Sequence, residues 1–272
     1  METLQKDAKT GILYQQWKAA SPKACLLLVH GLGAHSGRWK VLAEYFLAQD
    51  ISSYALELQG FGQTQGTKGH IDSFDTYYDN IRALAVLIRS ENPGSKIFLV
   101  GESFGGLLSY IMVQIEPSLF SGLILLSPAF SIRLQVSMWD YMRVFLHLFV
   151  NPQKQFKVRF VGDMCTRDPR FQEQIDTDFL EHRLVSAKFV LNYFYAERAA
   201  FHRIAVIEMP VLFLVPSEDK LVSPQASKVI FYRLLTRDKE LIKYPEMYHA
   251  LSVELGKEQV FADIRRWLAK RI

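Results

Sequence analysis

Short runs of almost wholly apolar residues alternate along this chain with segments in which apolar residues recur every three to four positions. A continuous apolar run predicts a strand that is buried on both faces, and such strands belong to parallel sheets covered by helices on both sides. Seven runs are predicted as strands: residues 11–17, 24–29, 52–58, 96–100, 123–126, 211–215 and 240–244. The sequence therefore predicts an α/β fold with a mostly parallel central sheet flanked by helices.

Three of the intervening helices have clear signals. One starts near Ser73, carries an apolar face, and ends before Pro93 and Gly94. A second is opened by Ser223, a favourable N-cap residue, with Pro224 in its first turn. A third lies near the C-terminus, where positions 260, 264, 267 and 268 form one apolar face. The first two helices fall between predicted strands and the third follows the last one, as an α/β fold allows.

The alternation is interrupted once, between Pro128 and Met209. This stretch of about 80 residues has helical periodicity, many aromatic residues and no convincing strand. A chain of 272 residues can hold a core together with an inserted subdomain. We therefore predict an α/β core from residues 1–127 and 207–272. Residues 128–206 are predicted to form a helical cap, or lid, over the ends of the strands.

Composition and charge exclude several classes of protein. Charged residues make up 22% of the chain and the net charge is only +4, with basic residues interleaved with acidic ones, so no nucleic-acid partner is expected. No apolar run approaches the roughly 18 residues that cross a bilayer, and the polar N-terminus has no signal-peptide pattern. We expect a cytoplasmic protein. The separated cysteines, Cys25 and Cys165, and the lack of an H-E-x-x-H motif predict no metal site.

The first candidate catalytic residue lies in a G-x-S-x-G motif formed by Gly101, Ser103 and Gly105. A predicted buried strand precedes it and a helix-forming segment follows it. This arrangement lifts a serine hydroxyl clear of the sheet on a sharp turn, and the small residues let the chain cross closely. The helix that begins just after the serine directs free N–H groups toward developing negative charge. We predict that Ser103 is a nucleophile.

A serine nucleophile needs a base that a third group orients. Where a serine nucleophile lies on such a strand-to-helix turn of an α/β sheet, the acid and then the histidine follow it along the chain. His249 is the only histidine beyond the predicted strand 211–215, and it lies in a loop just after the last strand. Two adjacent carboxylates, Asp219 and Glu218, follow the strand 211–215. We predict Asp219 as the acid, with Glu218 as the alternative.

A tetrahedral oxyanion requires two backbone N–H groups aimed at one point. One is expected from the residue after the nucleophile and the other from the loop after the first central strand. We assign these two groups to Phe104 and Leu32. His30, in the same loop, is predicted to shape the loop rather than to take part in the reaction.

Five features of the chain resemble one family: residues 30–39, 60–66, 101–106 and 217–219, and His249 with Glu254 five positions later. Together they are similar to the monoacylglycerol lipase and lysophospholipase branch of the α/β-hydrolases, from Gly11 to the C-terminus. The resemblance implies the α/β-hydrolase fold, a triad of Ser103, Asp219 and His249, oxyanion amides at Leu32 and Phe104, no cofactor, and a helical cap that receives an acyl chain. The family usually has aspartate where this chain has Glu57, a position that supports the neighbouring loop.

The predicted function is hydrolysis of carboxylic esters, with monoacylglycerols or lysophospholipids as the expected substrates and a small-molecule ester with an apolar acyl chain as the ligand. The following residues of the insertion are expected to wall an apolar tunnel: Leu134, Val136, Met138, Trp139, Phe145, Phe149 and Phe194. A transient contact of the cap with a membrane surface is a further expectation.

Alternatives remain open. They are a short-chain or aryl carboxylesterase, an aminopeptidase, and a non-catalytic binding module with the same fold. An aminopeptidase needs cap carboxylates that hold a substrate ammonium group. Four such residues are present, but their helical spacing predicts a solvated face: Glu173, Asp176, Asp178 and Glu181.

Overall fold

The structure is a computed structural model that describes residues 4–133, 137–202 and 207–272. Its strands are β1 (Gln5–Lys6), β2 (Leu13–Trp17), β3 (Ala24–Val29), β4 (Ile51–Leu56), β5 (Lys96–Glu102), β6 (Gly122–Leu126), β7 (Gln155–Lys157), β8 (Leu184–Ser186), β9 (Val211–Pro216) and β10 (Lys239–Tyr244). Its helices are α1 (Lys40–Leu47), α2 (Asp75–Glu91), α3 (Phe104–Ile115), α4 (Met138–Val150), α5 (Gly162–Cys165), α6 (Pro169–Thr177), α7 (Ala187–His202), α8 (Pro224–Arg233) and α9 (Lys257–Ala269).

The main sheet has eight strands in the order β1-β2-β4-β3-β5-β6-β9-β10. All neighbours from β4 to β10 pair in parallel, whereas β1 and β2 are antiparallel additions at one edge. The predicted fold class and all seven predicted strands are confirmed, with ends that differ by one or two residues. The two-residue strand β1 was not predicted, because so short a segment has no detectable periodicity.

The central strand β3 shows why its sequence is apolar at successive positions. Leu27 packs with Ile81 of α2 in the cluster on one face of the sheet. The next residue, Leu28, packs with Trp267 of α9 in the cluster on the other face. Successive side chains of a strand point to opposite faces, so a strand covered by helices on both sides must be apolar throughout. The loop that contains Leu32 therefore follows a strand that is buried at every position.

The described residues of the predicted insertion contribute helices α4 to α7 between β6 and β9. They also contain two strands, since β7 pairs with β8 in an antiparallel ribbon. The expectation of a purely helical insertion is therefore wrong on this point. Each of these strands has only three residues, and α5 and α6 separate them in sequence, so no local pattern revealed their pairing. Among the described residues, none of the helices has the length and hydropathy to cross a membrane.

Candidate active site

Ser103 lies on the turn between β5 and α3, and its backbone is strained. Its φ of 56° and ψ of −119° fall outside the regions that non-glycine residues normally adopt. A Cβ on Gly105 would lie 2.1 Å from the carbonyl oxygen of Val29, and one on Gly101 would lie 2.4 Å from that of Gly105. Only glycine lets the turn pass this close to β3. The predicted strand–serine–helix arrangement is therefore confirmed in its geometry.

His249 lies in the loop after β10 and is held by Asp219 from the loop after β9. Its Nδ1 lies 2.8 Å from Asp219 Oδ2, and both residues are buried. The other carboxylate oxygen of Asp219 accepts hydrogen bonds from the backbone N–H groups of Leu221 at 2.8 Å and Val222 at 2.9 Å. Glu218 is exposed to solvent. The geometry thus favours Asp219 over Glu218 as the residue that faces the imidazole.

The electrostatic surroundings of His249 suit a general base. Burial lowers the pKa of the imidazole, but the charge and hydrogen bond of Asp219 and the charge of Glu102 raise it, and the net shift is upward. The loop is fixed as well, because the hydroxyl of Ser127 donates to the carbonyl oxygen of His249 at 2.6 Å. The ring is therefore held in place and stabilised in its protonated form, as proton transfer from a serine requires.

A cavity of about 800 Å³, including its open mouth, brings the predicted site residues together. Ser103, His249, Leu32 and Phe104 all line it. Phe104 is the first residue of α3, so its N–H belongs to the first turn, whose amides have no partner within the helix. The remaining wall is mainly apolar and includes Ala34, Ala129, Ile132, Val158, Phe160, Cys165, Ile175, Tyr193, Leu221, Val222 and Ala250.

The predicted aromatic wall of this cavity requires correction. Trp139, Phe145, Phe149 and Phe194 do not line it; they are exposed by 73%, 63%, 75% and 55%. Met138 is also exposed, and Leu134 and Val136 lie outside the described residues. The apolar wall comes instead from the segment after β7, from α5 to α7, and from the loops around β6 and β9. Aromatic content identified the insertion but not which of its faces turns toward the site.

A buried ion pair in the cavity wall was missed by the sequence analysis. Arg38 bonds to Glu181 of the insertion, and both side chains are more than nine-tenths buried. Burial raises the pKa of Glu181, although Arg38 lowers it. Nearby, His35 Nε2 lies 2.9 Å from Asp178 Oδ2. The expectation of a solvated face is therefore wrong for Asp178 and Glu181, because both carboxylates face the loop that contains Arg38.

His30 and Glu57 hold the loops behind the oxyanion donors. Burial lowers the pKa of His30 to about 4, so the ring is neutral. Its Nε2 accepts from the N–H of Leu58 at 3.1 Å, which agrees with the predicted structural role. The carboxylate of Glu57 accepts from the N–H groups of Ser36 and Gln63, each at 2.7 Å. Glu57 therefore supports two loops at the position where the family usually has aspartate.

The part of the chain that the structure describes contains no group of three or more histidine, cysteine, aspartate or glutamate side chains able to hold a metal ion. The chemistry available at the site comes from a serine hydroxyl on a strained turn, an imidazole paired with a buried carboxylate, and backbone amides at the start of a helix. That set fits acyl transfer through a serine nucleophile.

A mostly parallel sheet with a serine on the sharp turn between β5 and the helix that follows it is the arrangement of the α/β-hydrolase fold. The chain belongs to the family described as serine aminopeptidase, S33, whose model matches residues 20–256. It is 26% identical over 261 residues to the monoglyceride lipase of Mus musculus, covering 94% of this chain and 86% of that protein. It is 28% identical over 253 residues to phospholipase YtpA of Bacillus subtilis, covering 92% and 96%.

A solved structure supports the same relationship. The monoacylglycerol lipase of Paleococcus ferrophilus superposes with a TM-score of 0.85 at 25% identity, over 96% of this chain and 99% of that one. The predicted resemblance to the monoacylglycerol lipase and lysophospholipase branch is therefore confirmed. So is the predicted enzyme class, a hydrolase similar to these lipases and esterases.

Proposed function

We propose that this protein hydrolyses carboxylic esters of lipids, with monoacylglycerols or lysophospholipids as substrates. The observation that carries the proposal is that the strained Ser103 and His249 line one mainly apolar cavity, with His249 paired to the buried Asp219. The similarity to monoglyceride lipases and to a phospholipase supports the same substrate class.

The reaction proceeds by an acyl-enzyme. Ser103 Oγ attacks the ester carbonyl while Nε2 of His249 takes the hydroxyl proton, and the carbonyl electrons move onto the oxygen. The backbone N–H groups of Leu32 and Phe104 stabilise that oxyanion. The imidazolium, stabilised by Asp219, then gives its proton to the departing alcohol. Water repeats the sequence on the acyl-enzyme and releases the carboxylic acid and free Ser103.

The cavity wall supports an apolar acyl group. Each additional methylene buried there contributes about 0.8 kcal/mol of binding free energy. When that contact is also made in the transition state, kcat/KM rises roughly fourfold. We expect activity on p-nitrophenyl esters to rise from acetate through medium chains and then to level off. A series that is flat or falls from acetate would instead identify a short-chain or aryl carboxylesterase.

Labelling with a fluorophosphonate probe tests the nucleophile directly. We expect the probe to label the wild-type protein on Ser103, and the Ser103→Ala variant to remain unlabelled and to lose about a thousandfold or more of its esterase activity. Ser109→Ala, on the helix that follows, is a matched control that keeps labelling. A folded wild-type protein that the probe does not label would indicate the non-catalytic binding module instead.

The insertion is proposed to act as a cap that also contacts lipid surfaces. Its helix α4 has no buried residue, and more than half of each of these side chains is exposed: Met138, Trp139, Phe145, Leu146, Phe149 and Val150. A face of this kind suits the interface of a lipid layer. In co-sedimentation with phosphatidylcholine vesicles, Trp139→Ser with Phe149→Ser should weaken binding, whereas Tyr232→Ser on α8 should not. Equal binding by all three proteins would exclude this contact. A cytoplasmic location remains a prediction.

An aminopeptidase is the second candidate, because Glu181 lines the cavity and the family description names that activity. Glu181 is, however, already paired with the buried Arg38, so its charge is not available to a substrate ammonium group. We therefore expect p-nitrophenyl esters to be cleaved far faster than aminoacyl p-nitroanilides. The reverse preference would establish the aminopeptidase.

A further inference from the structure

Glu102, the residue before Ser103, carries a buried carboxylate that the proposed reaction does not use. It is the last residue of β5, is 6% exposed and lines the cavity. Burying a carboxylate is unfavourable unless hydrogen bonds and charges compensate it. Because Glu102 directly precedes the nucleophile, the groups that compensate its burial also lie at the site.

Both oxygens of Glu102 bind one residue of the histidine loop. Oε1 accepts from the backbone N–H of Ser252 at 2.9 Å, and Oε2 accepts from its hydroxyl at 2.7 Å. Ser252 is buried and lies three positions after His249. The contact thus joins the chain beside the nucleophile to the loop of the general base, across a sequence separation of 150 residues.

The same carboxylate acts electrostatically on the imidazole. Glu102 is one of two carboxylates that raise the pKa of His249, the other being Asp219. Burial raises the pKa of Glu102 itself, and the Ser252 hydrogen bonds and the charges of His249 and Arg38 oppose that rise. The net shift of the Glu102 pKa is upward, while the two donors from Ser252 favour the ionised carboxylate, whose charge acts on the imidazolium that forms during acylation.

We propose that Glu102 is a positioning residue for the general base: through Ser252 it fixes the loop of His249, and its negative charge stabilises the protonated imidazole. This proposal rests on the proposed function, because it assigns His249 the role of base. Asp219 orients the ring from one side, and Glu102 holds the loop from the side of the nucleophile.

Two substitutions separate the effect of the hydrogen bonds to Ser252 from the effect of the negative charge. Glu102→Gln keeps the size of the side chain, and its amide can still bond to Ser252 after the hydroxyl rotates, but the charge is lost. Ser252→Ala removes one of the two hydrogen bonds and keeps the charge. Glu246→Gln is the matched control: it makes the same chemical change on the loop that leads to His249, at a side chain that is 88% exposed.

The first measurement is the titration of His249 followed by NMR of the imidazole ring, which does not depend on activity. We expect Glu102→Gln to shift the midpoint to lower pH, Ser252→Ala to shift it less because the carboxylate keeps one of its two donors, and Glu246→Gln to leave it in place. The acid limb of the kcat/KM profile on a p-nitrophenyl ester should shift in the same way. In Ser252→Ala, kcat should fall by about tenfold with little change in KM, since a misplaced base slows the chemical step.

Glu102→Asp provides the conservative test and a safeguard if Glu102→Gln does not fold. It keeps the charge but is one methylene too short to hold Ser252 in the same way. We expect a midpoint close to the wild-type value together with a reduced kcat. A midpoint in folded Glu102→Gln that matches wild type, or a wild-type kcat in Ser252→Ala, would overturn the proposal. A wild-type protein that neither cleaves esters nor reacts with the fluorophosphonate would overturn the proposed function, while the NMR titration would still report on Glu102.

Discussion

The replacement Asp219→Asn tests the site in detail, because the hydrogen bonds of this carboxylate dictate how the amide must orient. Oδ1 of Asp219 accepts from the backbone N–H groups of Leu221 and Val222. An amide NH₂ at that position would face two donors. The oxygen of the substituted amide must therefore stay there, which places the NH₂ group at the position of Oδ2, opposite Nδ1 of His249.

An NH₂ group facing Nδ1 reverses the tautomer of the ring. Nδ1 must then accept a hydrogen bond, so the proton of the neutral imidazole moves to Nε2, the atom that has to accept the proton of Ser103. The same reversal in serine proteases lowers kcat by about 10⁴-fold, which corresponds to about 5.5 kcal/mol of transition-state stabilisation. We expect a loss of that order here, with KM little changed.

The assay is steady-state hydrolysis of a p-nitrophenyl ester, with circular dichroism to confirm that the variant is folded. Glu218→Gln is the control, because it makes the equivalent change one residue away at an exposed carboxylate. It should retain activity close to wild type. If Asp219→Asn kept more than about a tenth of the wild-type kcat, or if Glu218→Gln lost as much, the assignment of the acid would be refuted.

Three further outcomes follow from the structure. The kcat/KM of the wild-type enzyme should decline on acidification through a pKa above that of free imidazole, because the base acts only when neutral and Asp219 and Glu102 raise the pKa of His249 against the effect of burial; a midpoint below that of free imidazole would contradict this. Gly105→Ala should lower the melting temperature and abolish activity, since its Cβ would clash with the carbonyl oxygen of Val29; an unchanged melting temperature would show that the turn can relax. Glu57→Gln should lower the free energy of unfolding in urea by about 1–3 kcal/mol, because an amide cannot accept from two backbone N–H groups with both of its ends; an unchanged midpoint and slope would contradict the proposed support of the two loops.

The sequence was sufficient for the core and for the turn at Ser103 because both depend on local signals. Continuous apolar runs marked the buried strands, and the strand–serine–helix pattern marked the turn at Ser103. The choice between Asp219 and Glu218 could not be made locally. It depends on which carboxylate points into the protein. The hydrogen bonds from the N–H groups of Leu221 and Val222 hold Asp219 in that orientation.

The insertion was harder to predict because its functional contacts are long-range. Glu181 and Arg38 are 143 positions apart, and nothing in the spacing of the acidic residues indicates that one of them is buried. Periodicity suggested a solvated helical face, but α6 ends at Thr177, so Asp178 and Glu181 lie beyond it in a loop. For the aromatic residues of α4 the error was the opposite one: apolar side chains predict burial, but these are exposed.

The loop of the insertion around residues 178–182 does more than add a wall to the cavity. The backbone N–H of His182 donates to the carbonyl oxygen of Gly33 at 2.9 Å, and the pairs His35–Asp178 and Arg38–Glu181 flank this contact. All three bonds hold the loop that begins with Leu32, one of the two proposed oxyanion donors. Removing one partner of a buried ion pair typically costs about 3–5 kcal/mol, because the other charge is left buried and uncompensated. We therefore propose that the insertion contributes to the chemical step as well as to substrate binding, since these bonds hold the loop of the proposed Leu32 donor.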